Sequence, residues 1–226
     1  MVPCWFWVAE GMTGVNGGTL PEYSCIASLC HMKFSVSEIS ELIQHRRTIL
    51  PEDYSPREVH RELVERILTN ATWAPTHGLT QPWRFTVFTG AARERLSAFL
   101  GGVYRNSTPA EKFLQKKLDN ITQRPLKSSV VIAIGMARDP KGKISERDEQ
   151  WAVACAVQNM HLTCTAYGLG GFWSTSAAAT SDDMRAFLGL APDARAMGLF
   201  FIGYPAIEWP AGHRRPLETV SRWLEA

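Results

Sequence analysis

"WAPTHGLTQPWRF", Trp73 to Phe85, is the stretch on which the reading of this chain turns. A helix-patterned segment leads into it, with Val59, Leu63, Val64, Ile67, Leu68 and Ala71 forming an apolar stripe. Pro75 stops that helix, because the residue before a proline is pushed out of the helical region. Immediately after the loop, "WRFTVFTG" is dense in aromatic and β-branched residues and reads as a strand. The connection itself carries two prolines, a glycine, a histidine, a glutamine and two tryptophans. A plain helix-to-strand turn needs far less. The two prolines remove chain entropy, and Gly78 lets backbone approach closely. Trp83 begins a strand and is expected mainly in the core, whereas Trp73 fits either core or the wall of a site.

Punctuation on either side gives the remaining elements. Ser35 with Glu38 forms a capping box that opens a helix to about Gln44. Ser55-Pro56-Arg57-Glu58 repeats the device, with proline at the first helical position, for the helix before the loop. "AARERLSAFLG" predicts a helix ended by its glycine, and Thr108-Pro109-Ala110-Glu111 opens another to about Thr122. "SVVIAIG" is a continuous apolar run, as in a strand buried on both faces. Residues 148–167 are helical and apolar nearly all round, so core or a subunit interface must cover them. Gly168 is placed to close that helix. "GGFWS" is a short strand, 182–188 a helix and "AMGLFFIG" the last core strand, before a tail with a basic cluster and a short helix. Strands and helices mix without strict alternation, which predicts an α+β fold with helices packed around a mixed, mainly antiparallel sheet of four to five strands.

Composition sets the outer bounds. The chain has 226 residues, 45% hydrophobic and 20% charged, as in an ordinary globular domain. A formal charge of +2 with no basic tract argues against a nucleic-acid partner. The five cysteines lack paired spacing, which predicts reduced thiols and a cytoplasmic protein. Cys155 and Cys164 fall on opposite faces of one helix and cannot bridge within it. Cys25, Cys30 and His31 have no second ligand pair at zinc spacing, so no metal site is expected. No run of about 18 apolar residues exists, so no membrane span is expected. Residues 1–31 are rich in glycine and turn formers and read as a disordered extension or an over-long start. Trp5, Phe6 and Trp7 as a surface anchor are the competing reading. The domain proper is taken as residues 32–226.

Familiar catalytic motifs fail. Gly168, Gly170 and Gly171 close a helix and enter a strand, the reverse of a dinucleotide-binding glycine loop. Gly142-Lys143-Ile144-Ser145 lacks the upstream glycine of a phosphate loop, and no serine sits in a nucleophile elbow. Two clusters remain, His45-Arg46-Arg47 and His213-Arg214-Arg215. Each fits solvated charge, and the first also suits a helix C-terminus.

Four pieces in fixed order change the balance: "HRRTI" after the first helix, "WAPTHGLTQPWRF", "AVQNMHLTCTAYGLGGFW", and "IGYPA" with "RRPLETV". Over roughly residues 32–226 the sequence resembles the nitroreductase family of FMN-dependent oxidoreductases, in its compact branch with a histidine in the Ala74-Pro75-Thr76-His77 loop. The resemblance implies an obligate homodimer with FMN at the subunit interface. Arg46, Arg47 and Thr48 match residues that bind the flavin phosphate chain and pyrimidine edge, and Arg214 and Arg215 match basic residues that reach the same phosphate. Thr76, His77 and Gln81, with Trp73, fall in the loop beside the flavin, His77 reaching FMN in the partner subunit. Trp173, Ser174 and Thr175 match the segment behind the isoalloxazine ring. Leu79 departs from a common asparagine and cannot make its flavin hydrogen bond.

The activity implied is hydride transfer from NAD(P)H through flavin N5 to a small electron-poor acceptor, nitroaromatic or quinone-like, by a ping-pong mechanism. No side chain is expected as essential acid or base, since the flavin carries the chemistry. A flavin-binding protein without turnover, or a dehydrogenase or dehalogenase on the same scaffold, are the alternatives.

Overall fold

The computed structural model describes residues 34–225. The expectations for residues 1–31, including the Cys25, Cys30 and His31 reading, lie outside that range.

The core is a four-stranded sheet in the order β1-β2-β4-β3, with β1 Trp83–Phe88, β2 Val130–Met136, β3 Gly170–Ser174 and β4 Arg195–Gly203. Every adjacent pair is antiparallel. The expected mixed character reduces to one isolated parallel bridge, Thr48 to Gly171, at the outer edge of β3. All of β2 is buried, because both faces of the sheet are covered. Val130, Ile132, Ile134 and Met136 pack with α2 Arg61–Ala71 and α5 Glu146–Ala166. Val131 and Ala133 point the other way, into α3 Ala92–Ser107 and α6 Asp182–Phe187. That two-sided burial is what the unbroken apolar run of β2 encodes. Trp83 is buried, as its place at the start of β1 predicts.

α5 is the spine on one face. Ser145 caps it by accepting from the Asp148 N–H at 3.1 Å, and Gly168 follows its C-terminus at φ +66°. Cys164 is buried and Cys155 exposed on the opposite side, as their nine-residue spacing requires. α5 is tied to α2 by polar as well as apolar contacts. Asn70 donates to Thr163 Oγ1 at 3.0 Å, and Asn159 donates to the Asn70 carbonyl at 3.1 Å.

Four sequence expectations are corrected. The capping device at Ser55–Glu58 does not open a helix, and α2 begins at Arg61 after His60. The Ser55 N–H instead bonds the Tyr204 carbonyl, the Val59 N–H bonds Ser129 Oγ at 2.7 Å, and Arg57 lies over the Tyr204 ring. Tertiary partners have outbid the local cap. Gly101 does not end α3, which runs on to Ser107. A Cβ there would lie 2.9 Å from Thr122, so this glycine serves close packing of α3 against α4, Gln115–Lys127. Thr108–Glu111 opens only a single 3-10 turn, and α4 starts later and continues through Pro125. The short helix expected in the tail is one 3-10 turn, Leu217–Thr219.

β4 carries a bulge. Ile134 pairs with Gly198 but Gly135 pairs with Ala196, so Met197 is extra. The indole N–H of Trp173 bonds the Met197 carbonyl at 3.1 Å. Gly198 beside it has φ +120°, and a Cβ added there would lie only 2.5 Å from the Ser174 carbonyl oxygen. The bulge therefore sets the position of Trp173 and Ser174.

α1, Val36–His45, is the least anchored helix. None of its residues is buried, and Val36, Ile39 and Ile43 are exposed. No helix among the described residues is long and apolar enough to cross a membrane.

Candidate functional site

The structure gathers the predicted residues into two groups. The first forms where α1 ends. Arg46, Arg47, His45, Gln158 of α5, His213 and Arg214 line a cavity of about 810 Å³, and no carboxylate is among the described residues in its walls. Burial, then the charges of Arg214 and Arg47, lowers the pKa of the Arg46 guanidinium. Guanidinium groups gathered in this way raise a positive potential over the cavity.

The members of this group play different parts. Arg47 spends its donors on backbone, bonding the carbonyls of Gln44 at 2.5 Å, Arg46 at 2.9 Å and Pro210 at 2.9 Å. A Cβ on Gly212 would lie 2.0 Å from its Nη2, so the returning tail is threaded tightly past the guanidinium. Trp209 adds a second tie, its indole bonding the His45 carbonyl at 2.6 Å. Arg47 thus fastens the tail that carries Arg214 and leaves Arg46 as the less committed charge. Thr48 is exposed and bridges to Gly171, and the Ile49 N–H bonds the Gly171 carbonyl at 3.3 Å. This joins the arginine cluster to the strand bearing Trp173 and Ser174; Thr175 follows it, exposed. Arg215 is exposed and does not line the cavity.

The second group is the 73–81 loop. Its backbone is strained at Leu79 and Gln81, with φ of +57° and +44°, and turns through Gly78 at +62°, which glycine tolerates. Leu79 and Trp73 are each 82% exposed, so Trp73 is not core within one chain. Gly78 presses on Ile144, and His77 Nδ1 lies 3.2 Å from Asp148 Oδ2. Thr76 is half-buried and Gln81 exposed. The loop therefore sits at the N-terminal end of α5, whereas the arginine cluster meets α5 at Gln158. Ten residues of helix separate Asp148 from Gln158, a rise of about 15 Å. One chain does not bring the two groups together.

Three participants escaped sequence reasoning. Gln158 was hidden in a helix read as apolar all round. Asp148 is accounted for by the helix dipole alone, so its pairing with His77 had no local signal. His161 is the third. It is 8% exposed, stands edge-on to Phe200, and its Nδ1 has no hydrogen-bond partner among the described residues. Burial first, and Arg46 second, lower its pKa from 6.5 to about 4. The folded state therefore keeps this ring neutral where the unfolded chain protonates it. Stability is whole above pH 6.5 and falls as pH drops toward 4, by about 3 kcal/mol at pH 4 from this group. Urea titrations at pH 7 and pH 4 should show this loss, and His161→Leu should show a loss smaller by about that amount.

Comparison with known proteins places this architecture among α+β nitroreductase folds. Its most similar relatives include YdjA of Escherichia coli (strain K12), 28% identical over 149 residues, covering 65% of this chain and 78% of that protein. A nitroreductase-like family protein from Bacillus cereus superposes with a TM-score of 0.72 at 25% identity, covering 85% of this chain and 99% of that one. The FMN-dependent nitroreductase NfnB from Mycobacterium smegmatis, solved in complex with NADPH, superposes with a TM-score of 0.65 at 20% identity, covering 84% and 99%. The model of the nitroreductase family matches residues 43–204. The chain belongs to that family.

Proposed function

We propose that this chain is an FMN-dependent oxidoreductase that works as a homodimer. The observation that carries the reading is the cavity with Arg46, Arg47 and Arg214 in its walls and no carboxylate among the described residues that line it. A flavin phosphate with nearly two negative charges fits that donor set, since guanidinium groups bind phosphate through paired, charge-assisted hydrogen bonds. Arg46, Arg214 and Thr48 would hold the phosphate chain, with Arg215 nearby and Arg47 bracing the tail. Trp173, Ser174 and Thr175 would back the ring.

Trp73, Thr76, His77 and Gln81 would reach the same cofactor from the second subunit. The distance between the two groups along α5 supports this sharing. So does the apolar surface that one chain leaves exposed: Val36, Ile39 and Ile43 on α1, Trp151 on α5, and Trp223 and Leu224 in the tail. Large apolar side chains left exposed on one chain are available for burial against a second.

Bound there, FMN would supply two-electron chemistry, accepting hydride from NAD(P)H and passing it to a small nitroaromatic or quinone-like acceptor in ping-pong fashion. The protein's own residues bind and orient. No acid or base is assigned, and cationic side chains beside the flavin would favour its negatively charged form electrostatically.

The test is to purify the protein, record its visible spectrum with and without added FMN, and add NADH or NADPH anaerobically. The expected result is a yellow protein bleached by one or both nicotinamides and recoloured by an electron-poor acceptor. A protein that binds FMN but resists bleaching would be a flavin-binding protein without turnover. A folded protein that stays colourless in excess FMN would end the flavin reading.

A further inference from the structure

His77 is not alone in its loop. Its Nδ1 faces the Asp148 carboxylate at 3.2 Å, across 71 residues of sequence. Asp148 is itself well fixed. It lies in the first turn of a 21-residue helix, and its N–H is held by the capping Ser145 hydroxyl. The hydrogen bond from His77, then that from Ser145, keeps its carboxyl below the usual range, so it is an acceptor only at neutral pH. An acceptor-only partner makes Nδ1 the N–H donor of the imidazole. The other nitrogen, Nε2, is then the one left for a ligand.

The loop around this pair is held against its preferences. Leu79 and Gln81 occupy left-handed backbone that side chains disfavour. Its C-terminal end is fastened: Trp83 is buried, and the Pro82 carbonyl accepts from the Ala137 N–H at 2.8 Å. Nothing in the core requires the exposed centre of the loop to be strained. The strain is explained if the loop must present a side chain in one direction.

We propose that Asp148 is the positioning residue of the flavin site: it fixes the tautomer and aim of His77, so that the Nε2 edge is presented to the cofactor. The proposal rests on the flavin reading above and adds to it a residue that never touches the cofactor.

The experiment compares the full-length protein with His77→Ala, Asp148→Asn, Asp148→Glu and the His77→Ala/Asp148→Asn double variant. FMN affinity is measured by quenching of flavin fluorescence, and the His77 tautomer by long-range 1H–15N NMR of the ligand-free protein. Wild type should show the Nδ1–H tautomer, and Asp148→Asn should lose it. Asp148→Asn should weaken FMN binding by about the same factor as His77→Ala, roughly threefold to tenfold for one hydrogen bond. The double variant should bind no worse than His77→Ala alone, and Asp148→Glu should recover part of the loss.

Multiplying losses in the double variant, or wild-type affinity in Asp148→Asn, would overturn the proposal. So would wild-type affinity in His77→Ala, which would leave the flavin reading intact if Arg46→Ala still weakened binding. Failure of the wild type to take up FMN would instead remove both.

Discussion

Arg46→Ala should fold normally and come off a gel-filtration column without FMN. Arg46 is the arginine at the cavity whose donors are not committed to backbone carbonyls, in contrast to Arg47. Losing one charge-assisted contact of about 1.5–3 kcal/mol weakens binding roughly tenfold to a hundredfold. The ligand-free variant should melt no lower than wild type. Arg46 stands beside Arg214 and Arg47, and their charges and its burial already disfavour its charged form. Removing it relieves like-charge repulsion. Unfolding curves and flavin titrations on the same samples separate the two effects. Unchanged flavin stoichiometry and affinity would refute the phosphate role.

Gly198→Ala is the second large effect, and it acts through backbone. At φ +120° a side chain is strained, and the new Cβ would stand 2.5 Å from the Ser174 carbonyl oxygen and 2.8 Å from the Trp173 indole nitrogen. Neither obstacle is the loose end of a flexible chain. Strain and overpacking together should cost about 3–5 kcal/mol, a large share of the stability of an ordinary domain. Thermal melting should fall by roughly 10 °C. Surviving folded protein should hold flavin poorly, because β3 must shift where Trp173 and Ser174 lie. Gly142→Ala is the control: its φ is +63°, but no atom lies within 4 Å of the added carbon. It should cost only about 1 kcal/mol. Equal melting temperatures for the two variants would show that the bulge tolerates a side chain.

Much of this fold was legible because its signals are local. β2 announces itself by a run that only two-sided burial explains, and α5 by its length and by Ser145 and Gly168 at its ends. The misreadings occurred where distant partners decide. Ser55 and Glu58 satisfy every rule for opening a helix, yet Tyr204 and Ser129, far along the chain, claim the backbone. Gly101 looks like a stop until α4 is packed against it. The site divides in the same way. The arginine pairs stand out as charge clusters at either end of the domain, and their meeting follows from the closing of the tail onto α1. The pairing of His77 with Asp148 leaves no trace in either neighbourhood. The bulge at Met197 is invisible in "RAMGLFFIG", where one residue too many reads as continuous strand.

The stretch after α1 has a property that its helix lacks. Thr48 and Ile49 are moored to Gly171, and the Tyr54 hydroxyl is shared between the carbonyls of Ile49 at 3.0 Å and Phe201 at 3.1 Å. The helix before it buries nothing of its own. The cationic residues therefore stand between two moorings, the last turn of α1 through the Arg46 N–H and the Arg47 guanidinium, and the sheet through Thr48 and Ile49. The exposed face of that helix can change its sequence in related chains while its last turn and the sheet edge together keep Arg46 in place.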